Sequence, residues 1–154
     1  MKLDRNLVFK LLEDVETIMS GKTPDPLSEV CRTLRDSVDH YDWVGFYLVD
    51  PEKERELILG PYAGEPTEHT NIEFGQGICG QAAQTGKLFL IQDVSREANY
   101  LSCSPEVRSE IVLPIFHEGK LVGELDIDSH RFEPFSDLDT ELLEGICQMV
   151  SSYI

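Results

Sequence analysis

The sequence predicts an α+β domain: one antiparallel sheet, helices from the two chain ends packed on one face, and a ligand pocket on the other. Three observations carry this reading. Apolar residues near both ends of the chain recur at three- and four-residue steps, the helical period. The middle holds short runs rich in β-branched and aromatic residues, separated by glycine and charged turns. The final pair of runs also segregates its carboxylates onto one side.

Taken in order, Leu7, Val8, Leu11, Leu12, Val15, Ile18 and Met19 form one apolar stripe and predict a first helix. After the break from Gly21 to Pro26, Leu27, Val30, Cys31, Leu34 and Val38 repeat the pattern, which places Cys31 in the core. WVGFYLVD from Trp43, a charged turn and ELILG read as a β-hairpin. Alternation puts Trp43, Gly45 and Tyr47 on one face and Val44, Phe46 and Leu48 on the other. The two amphipathic aromatics therefore look the same way, and they either line a pocket or pack on a helix.

From Asn71 the chain runs NIEFGQGICGQAAQTGK, a glycine-loosened loop and a short helix that ends at Gly86, with Cys79 near its start. The strand-like LFLIQDV follows. The polar stretch SREANYLSCSPEVRSE then carries Cys103 between two serines and reads as a surface loop over a pocket.

IVLPIF and LVGELDID flank His117-Glu118-Gly119-Lys120, a hairpin signal. Ile111, Leu113 and Ile115 share one face with Leu125 and Ile127; Glu110 shares the other with Glu124, Asp126 and Asp128. A two-residue turn at Glu118-Gly119 would pair Ile111 with Asp126 and mix the faces. A three-residue loop with Gly119 in a left-handed bulge pairs Glu110 with Asp126, and that is the expected turn. Finally, Ser136 and Asp139 form a capping-box signal ahead of the stripe Leu138, Leu142, Ile146, Met149, Val150 and Tyr153, a terminal helix that also carries Cys147.

Length and charge bound the function. A chain of 154 residues suits one domain, here taken as 1–154. With 41% hydrophobic and 27% charged residues and no long apolar stretch, a bilayer span is not expected. The first segment, punctuated by Asp4, Glu13, Asp14 and Glu16, lacks the core of a secretory signal, so a cytoplasmic location is expected. A net charge of −16 repels phosphate backbones and anionic lipid, which argues against nucleic-acid and membrane partners and suits an acidic, soluble protein. The four cysteines are too scattered for a disulfide scaffold, and the histidines His40, His69, His117 and His130 show no ligand spacing with them, so no metal or other cofactor is expected.

The motifs WVGFYLV at 43–49, LILGPYAG at 57–64, FGQGICG at 74–80, SEIVLPI at 109–115 and GELDIDS at 123–129 resemble those of the GAF domain family. Their order and spacing resemble, within it, the free methionine-(R)-sulfoxide reductases. That resemblance implies an oxidoreductase, homodimeric in the manner of its relatives through the terminal helices, that reduces free methionine sulfoxide with thioredoxin or a similar thiol as reductant. It implies substrate contacts from Trp43, Tyr47, Glu110, Asp126 and Asp128, and proton donation by a carboxyl group of which Glu110 is the candidate. Cys103 matches the family's catalytic cysteine, 24 residues after the GICG cysteine Cys79. The chemistry so implied is attack by a thiolate on the sulfoxide sulfur, leaving methionine and a cysteine sulfenic acid. Many members carry another cysteine shortly before GICG; here His69 occupies that neighbourhood, so recycling falls to Cys79 or to an external thiol acting on Cys103. Two other classes stay open: a GAF sensor that binds a small molecule without turnover, and a dimerisation module. Clustered carboxylates on one face are costly without a ligand, which speaks against the latter.

Overall fold

The computed structural model describes residues 1–101 and 104–154. Cys103, the residue expected to carry the redox chemistry, lies outside the described residues. The helices are α1 (Arg5–Ser20), α2 (Pro26–Ser37), α3 (Gly77–Thr85) and α4 (Asp137–Val150), and the strands are β1 (Trp43–Val49), β2 (Glu56–Ala63), β3 (Asn71–Glu73), β4 (Phe89–Ile91), β5 (Ser109–His117) and β6 (Lys120–Ser129). A 3₁₀ turn spans Val94–Arg96.

Local chemistry sets the helix ends. The Asp4 carboxylate accepts the Leu7 N–H at 2.8 Å to start α1. Pro26 opens α2, where its missing N–H costs nothing, beneath the cap Asp25. The capping box expected at Ser136 and Asp139 is present at the start of α4. Asp139 does more than cap. Its buried Oδ1 also shares a 2.6 Å hydrogen bond with His40 Nε2 and accepts the Tyr41 hydroxyl at 2.8 Å, tying α4 to the turn that leads into β1.

The strands form one six-stranded sheet in the order β3-β2-β1-β6-β5-β4, every neighbouring pair antiparallel. Its two faces bury different things. On one, Val44, Phe46, Ile111, Leu113, Ile115, Leu125 and Ile127 pack with the apolar stripes of α1, α2 and α4 in a single core, each large side chain contributing about 1.5–3 kcal/mol on burial. On the other, Trp43, Tyr47 and Val112 pack with Ile78, Cys79, Ala82 and Ala83 of α3. The expected division into a helix-covered face and a second face therefore holds, and so does the split of β1 side chains between them. Cys31 and Cys147 sit in the helical core, as expected.

The β5–β6 hairpin departs from expectation. His117 pairs with Lys120 across a two-residue turn in which Glu118 (φ 51°) and Gly119 (φ 79°) are both left-handed. That is the primed-turn geometry that matches the twist of the strands, so no three-residue loop forms. The faces are kept unmixed by a different device. Phe116 pairs with Leu121 but Ile115 pairs with Gly123, leaving Val122 as an extra residue, a β-bulge just past the turn. Beyond it Ile111 meets Ile127, and Glu110 meets Asp128 rather than Asp126. Pairing parity survives, shifted by two residues from the expected register.

Candidate active site beneath the third helix

The register lays out the second face in rows. Trp43, Asp128, Glu110 and Ile91 form the first row, Gly45, Asp126, Val112 and Phe89 the second, and Tyr47, Glu124 and Pro114 the third. Four carboxylates thus stand together, none more than 5% exposed. The site side of this arrangement was legible from parity for Glu110, Asp126 and Asp128. Glu124 was placed on the same face but not assigned to the site; being fully buried between Tyr47 and Pro114, it belongs with the cluster.

Helix α3 lies over these rows, and it brings Cys79 down onto them. The Cys79 thiol donates to Glu110 Oε2 at 3.9 Å. Cys79 Sγ and one carboxylate oxygen each from Glu110 and Asp126 lie within 4.8 Å of one another. A cavity of ≈ 10 Å³ lies here, lined by Tyr47, His69, Cys79, Leu101, Glu110 and Asp126 among others. Trp43 and Asp128 share the face but do not line this cavity. Instead the Trp43 ring stacks on Tyr62, centroids 5.5 Å apart, and its indole N–H donates to the Glu65 carbonyl at 3.0 Å. The Tyr47 hydroxyl donates to the His69 carbonyl at 2.9 Å, so the 65–69 segment holds the polar tips of both aromatics. His69 was read only as a replacement for a cysteine, and sequence gave no sign that it lines the same cavity as Cys79. Long-range pairing of the 65–69 segment with β1 side chains has no local sequence signal.

The electrostatics follow from burial and crowding. Burial holds the Glu124 carboxyl well above its ordinary range, and the neighbouring Asp126 charge adds to this. The Cys79 thiol lies near enough to oppose the shift, yet both Glu124 oxygens and Asp126 Oδ1 find no hydrogen-bond partner among the described residues. Burial also raises Asp126, against the pull of Glu110 and Cys79. The Cys79 thiol is pushed well above its ordinary range by burial first, then by the charges of Asp126, Glu110, Glu124 and Asp128. A helix N-terminus favours thiolate, but at Cys79 burial and then the surrounding acids outweigh that effect. The cavity accordingly joins a thiol and carboxyls whose pKa values are pushed upward, beside oxygens that lack a donor among the described residues.

The GAF domain family profile matches residues 25–154, and the chain belongs to that family. More particularly, it is 35% identical over 144 residues to GAF domain-containing protein A of Dictyostelium discoideum, covering 92% of this chain and 89% of that protein. It is 32% identical over 143 residues to the free methionine-R-sulfoxide reductase of Escherichia coli strain K12, covering 92% of this chain and 82% of the relative. Among solved structures, a free methionine-R-sulfoxide reductase from Neisseria meningitidis in complex with its substrate superposes with a TM-score of 0.90 at 32% identity, over 99% of this chain and 91% of that one. Among the described residues no helix is long and apolar enough to cross a membrane.

Proposed function

We propose that this protein reduces free methionine-R-sulfoxide to methionine. The observation that carries the reading is the placement of the GICG cysteine, Cys79, against Glu110 and Asp126 on the sheet face that also presents Tyr47. Likeness to reductases of that name over most of the chain supports it. The buried carboxyl oxygens of Glu124 and Asp126 await a positive or proton-donating partner, and a free amino acid brings an ammonium group able to serve.

In the proposed reaction the Cys103 thiolate attacks the sulfoxide sulfur while a carboxyl group, Glu110 with Asp126 beside it, protonates the departing oxygen. The sulfoxide sulfur gains two electrons and leaves as the thioether methionine; the cysteine sulfur loses them and becomes a sulfenic acid. A second thiol then attacks that sulfur, releasing water and forming a disulfide. Cys79 is the resolving thiol in this scheme, and a thioredoxin-like dithiol returns both cysteines to the reduced state. Burial, joined at Glu124 by the Asp126 charge, raises the Glu124 and Asp126 carboxyls, and that direction supports an acid step in this cluster. Trp43 and Asp128 contact substrate only once the cavity widens, because a space for one water does not admit an amino acid. Leu101 lines the cavity from the loop ahead of β5, and its displacement is one way to widen it. The chain acts in the cytoplasm as a homodimer in this reading.

Turnover of the separate R and S epimers of methionine sulfoxide with dithiothreitol tests the proposal. R-selective turnover in the wild type, abolished in Cys103→Ser, is expected. Ligand binding without turnover by the wild type overturns the reductase and makes the domain a sensor.

A further inference from the structure

Three donors of a mixed kind, one thiol and two carboxylates, converge in a space of single-atom size. Cys79 Sγ lies 3.9 Å from Glu110 Oε2, and these two with an Asp126 oxygen fall within 4.8 Å of one another. The ≈ 10 Å³ cavity they line is too small for an amino acid and about right for one water-sized occupant. Asp126, 1% exposed, lines it and has Oδ1 without a hydrogen-bond partner among the described residues. In the next row of the same face, Glu124 is fully buried with both oxygens unpartnered in the same sense. His69 also lines the cavity, but the converging donors are those of Cys79, Glu110 and Asp126.

From this geometry we infer that the closed cavity is a binding site for one divalent cation of borderline softness, of the zinc class, held by Cys79, Glu110 and Asp126. Such an ion takes metal–sulfur bonds of about 2.3 Å and metal–oxygen bonds of about 2.0 Å, so tetrahedral neighbours stand about 3.5 Å apart. The donors need to close by about 1.3 Å at most to reach that spacing, within reach of carboxylate side-chain torsions. A thiol among few oxygens selects zinc, cobalt(II) or cadmium over magnesium or calcium, which require six or more hard oxygen ligands. Binding is not a redox step: the Cys79 S–H bond breaks, its proton goes to solvent, and the sulfur lone pair forms the metal bond. The ion occupies the place at which the proposed substrate ammonium and sulfoxide would enter, so metal and substrate exclude each other. This goes beyond the reductase reading and makes the same acids a metal-sensitive off switch.

Cobalt(II) is the probe, titrated into reduced Cys103→Ser protein so that Cys103 sulfur is absent. One cobalt per chain with a near-ultraviolet thiolate-to-cobalt charge-transfer band is expected, displaced by zinc. Replacing Cys79 by Ser in that background removes the band; a band that persists, with far-ultraviolet circular dichroism unchanged, overturns the assignment. Should the double variant fold poorly, Asp126→Asn keeps the thiol, and its affinity is expected to fall about 10-fold or more. Unchanged affinity there overturns the site. Methionine-R-sulfoxide is expected to raise the apparent cobalt Kd, and no competition overturns the shared cavity. A cobalt band together with no turnover by the wild type keeps this site and ends the reductase reading, whereas wild-type turnover without a cobalt band does the reverse.

Discussion

Glu110 and Asp128 stand directly opposite each other across the β5–β6 ladder, two acids in a pairing position where like charges repel. Glu110 also meets the Cys79 thiol, so it is the acid best placed between sheet and helix. Glu110→Gln is expected to lower kcat for methionine-R-sulfoxide by about 10²–10⁴-fold, the usual worth of a positioned proton donor. Steady-state kinetics check this, and unchanged turnover removes Glu110 from the acid role.

Glu124 offers a test in stability. Its folded-state pKa is raised by burial above the unfolded value, so its cost to the fold is absent below the unfolded pKa and grows as pH climbs toward and through the folded one. Glu124→Gln preserves shape and cannot ionise. Thermal melts from pH 5 to 9 are expected to show the variant's Tm gaining on the wild type as pH rises; a difference that stays flat contradicts the assignment.

The cysteines predict a labelling pattern. Burial, then the Asp25 charge, pushes the Cys31 thiol up to about 12; burial, then Glu144, does the same to Cys147. Cys79 is shifted in the same direction. Alkylation requires thiolate, so native protein at pH 7 is expected to take up one iodoacetamide, at Cys103, while the other three react only after denaturation. Peptide mass spectrometry reads the sites directly, and native labelling of Cys79 contradicts its enclosed, protonated state.

Asp139 sets acid sensitivity. Burial acts to raise its pKa but is outweighed by the His40 hydrogen bond, the Ser136 backbone N–H, the His40 charge and the Tyr41 hydroxyl, leaving it below the ordinary value. Its stabilisation is therefore present above the unfolded carboxyl pKa and is lost as pH falls through the folded one. Asp139→Asn is expected to cost about 1–3 kcal/mol at pH 7 by urea unfolding, with the gap to wild type closing under acid conditions.

Gly45 sits in the row with Asp126, and a Cβ there would strike the Trp43 ring and stand 2.9 Å from Tyr62 Cβ. Gly45→Ala is thus expected to push Trp43 off Tyr62, destabilising by about 1–3 kcal/mol and raising KM more than it lowers kcat. Tryptophan fluorescence reports the displacement, since Trp43 is the single tryptophan of the chain.

The elements with strong local periodicity were readable without coordinates. The stripes of α1, α2 and α4, the α3 stop at Gly86 and the Ser136–Asp139 box all depend on neighbours in sequence. The hairpin register was not, because two devices satisfy the same parity: a longer turn, or a short turn with Val122 extruded. The primed Glu118-Gly119 turn wins since it fits strand twist and moves the irregularity into the ladder. In the site, alternation along β5 and β6 grouped the acids correctly, but the state of Cys79 depends on how closely α3 presses on them. Proximity of that kind, like the meeting of His40 with Asp139 across 99 positions, leaves no periodic trace.

Val122 shows how much hangs on where a single spare residue is put. Removing it would leave Ile115 opposite Gly123 and Glu110 opposite Asp128 in an unbroken ladder, so the two faces would stay apart. Threading it into the ladder instead would set Ile111 against Asp126 and drive Glu124, Asp126 and Asp128 into the oily layer beneath the terminal helices. The protein keeps grease and acid on opposite sides of a sheet by letting one valine stand out of line.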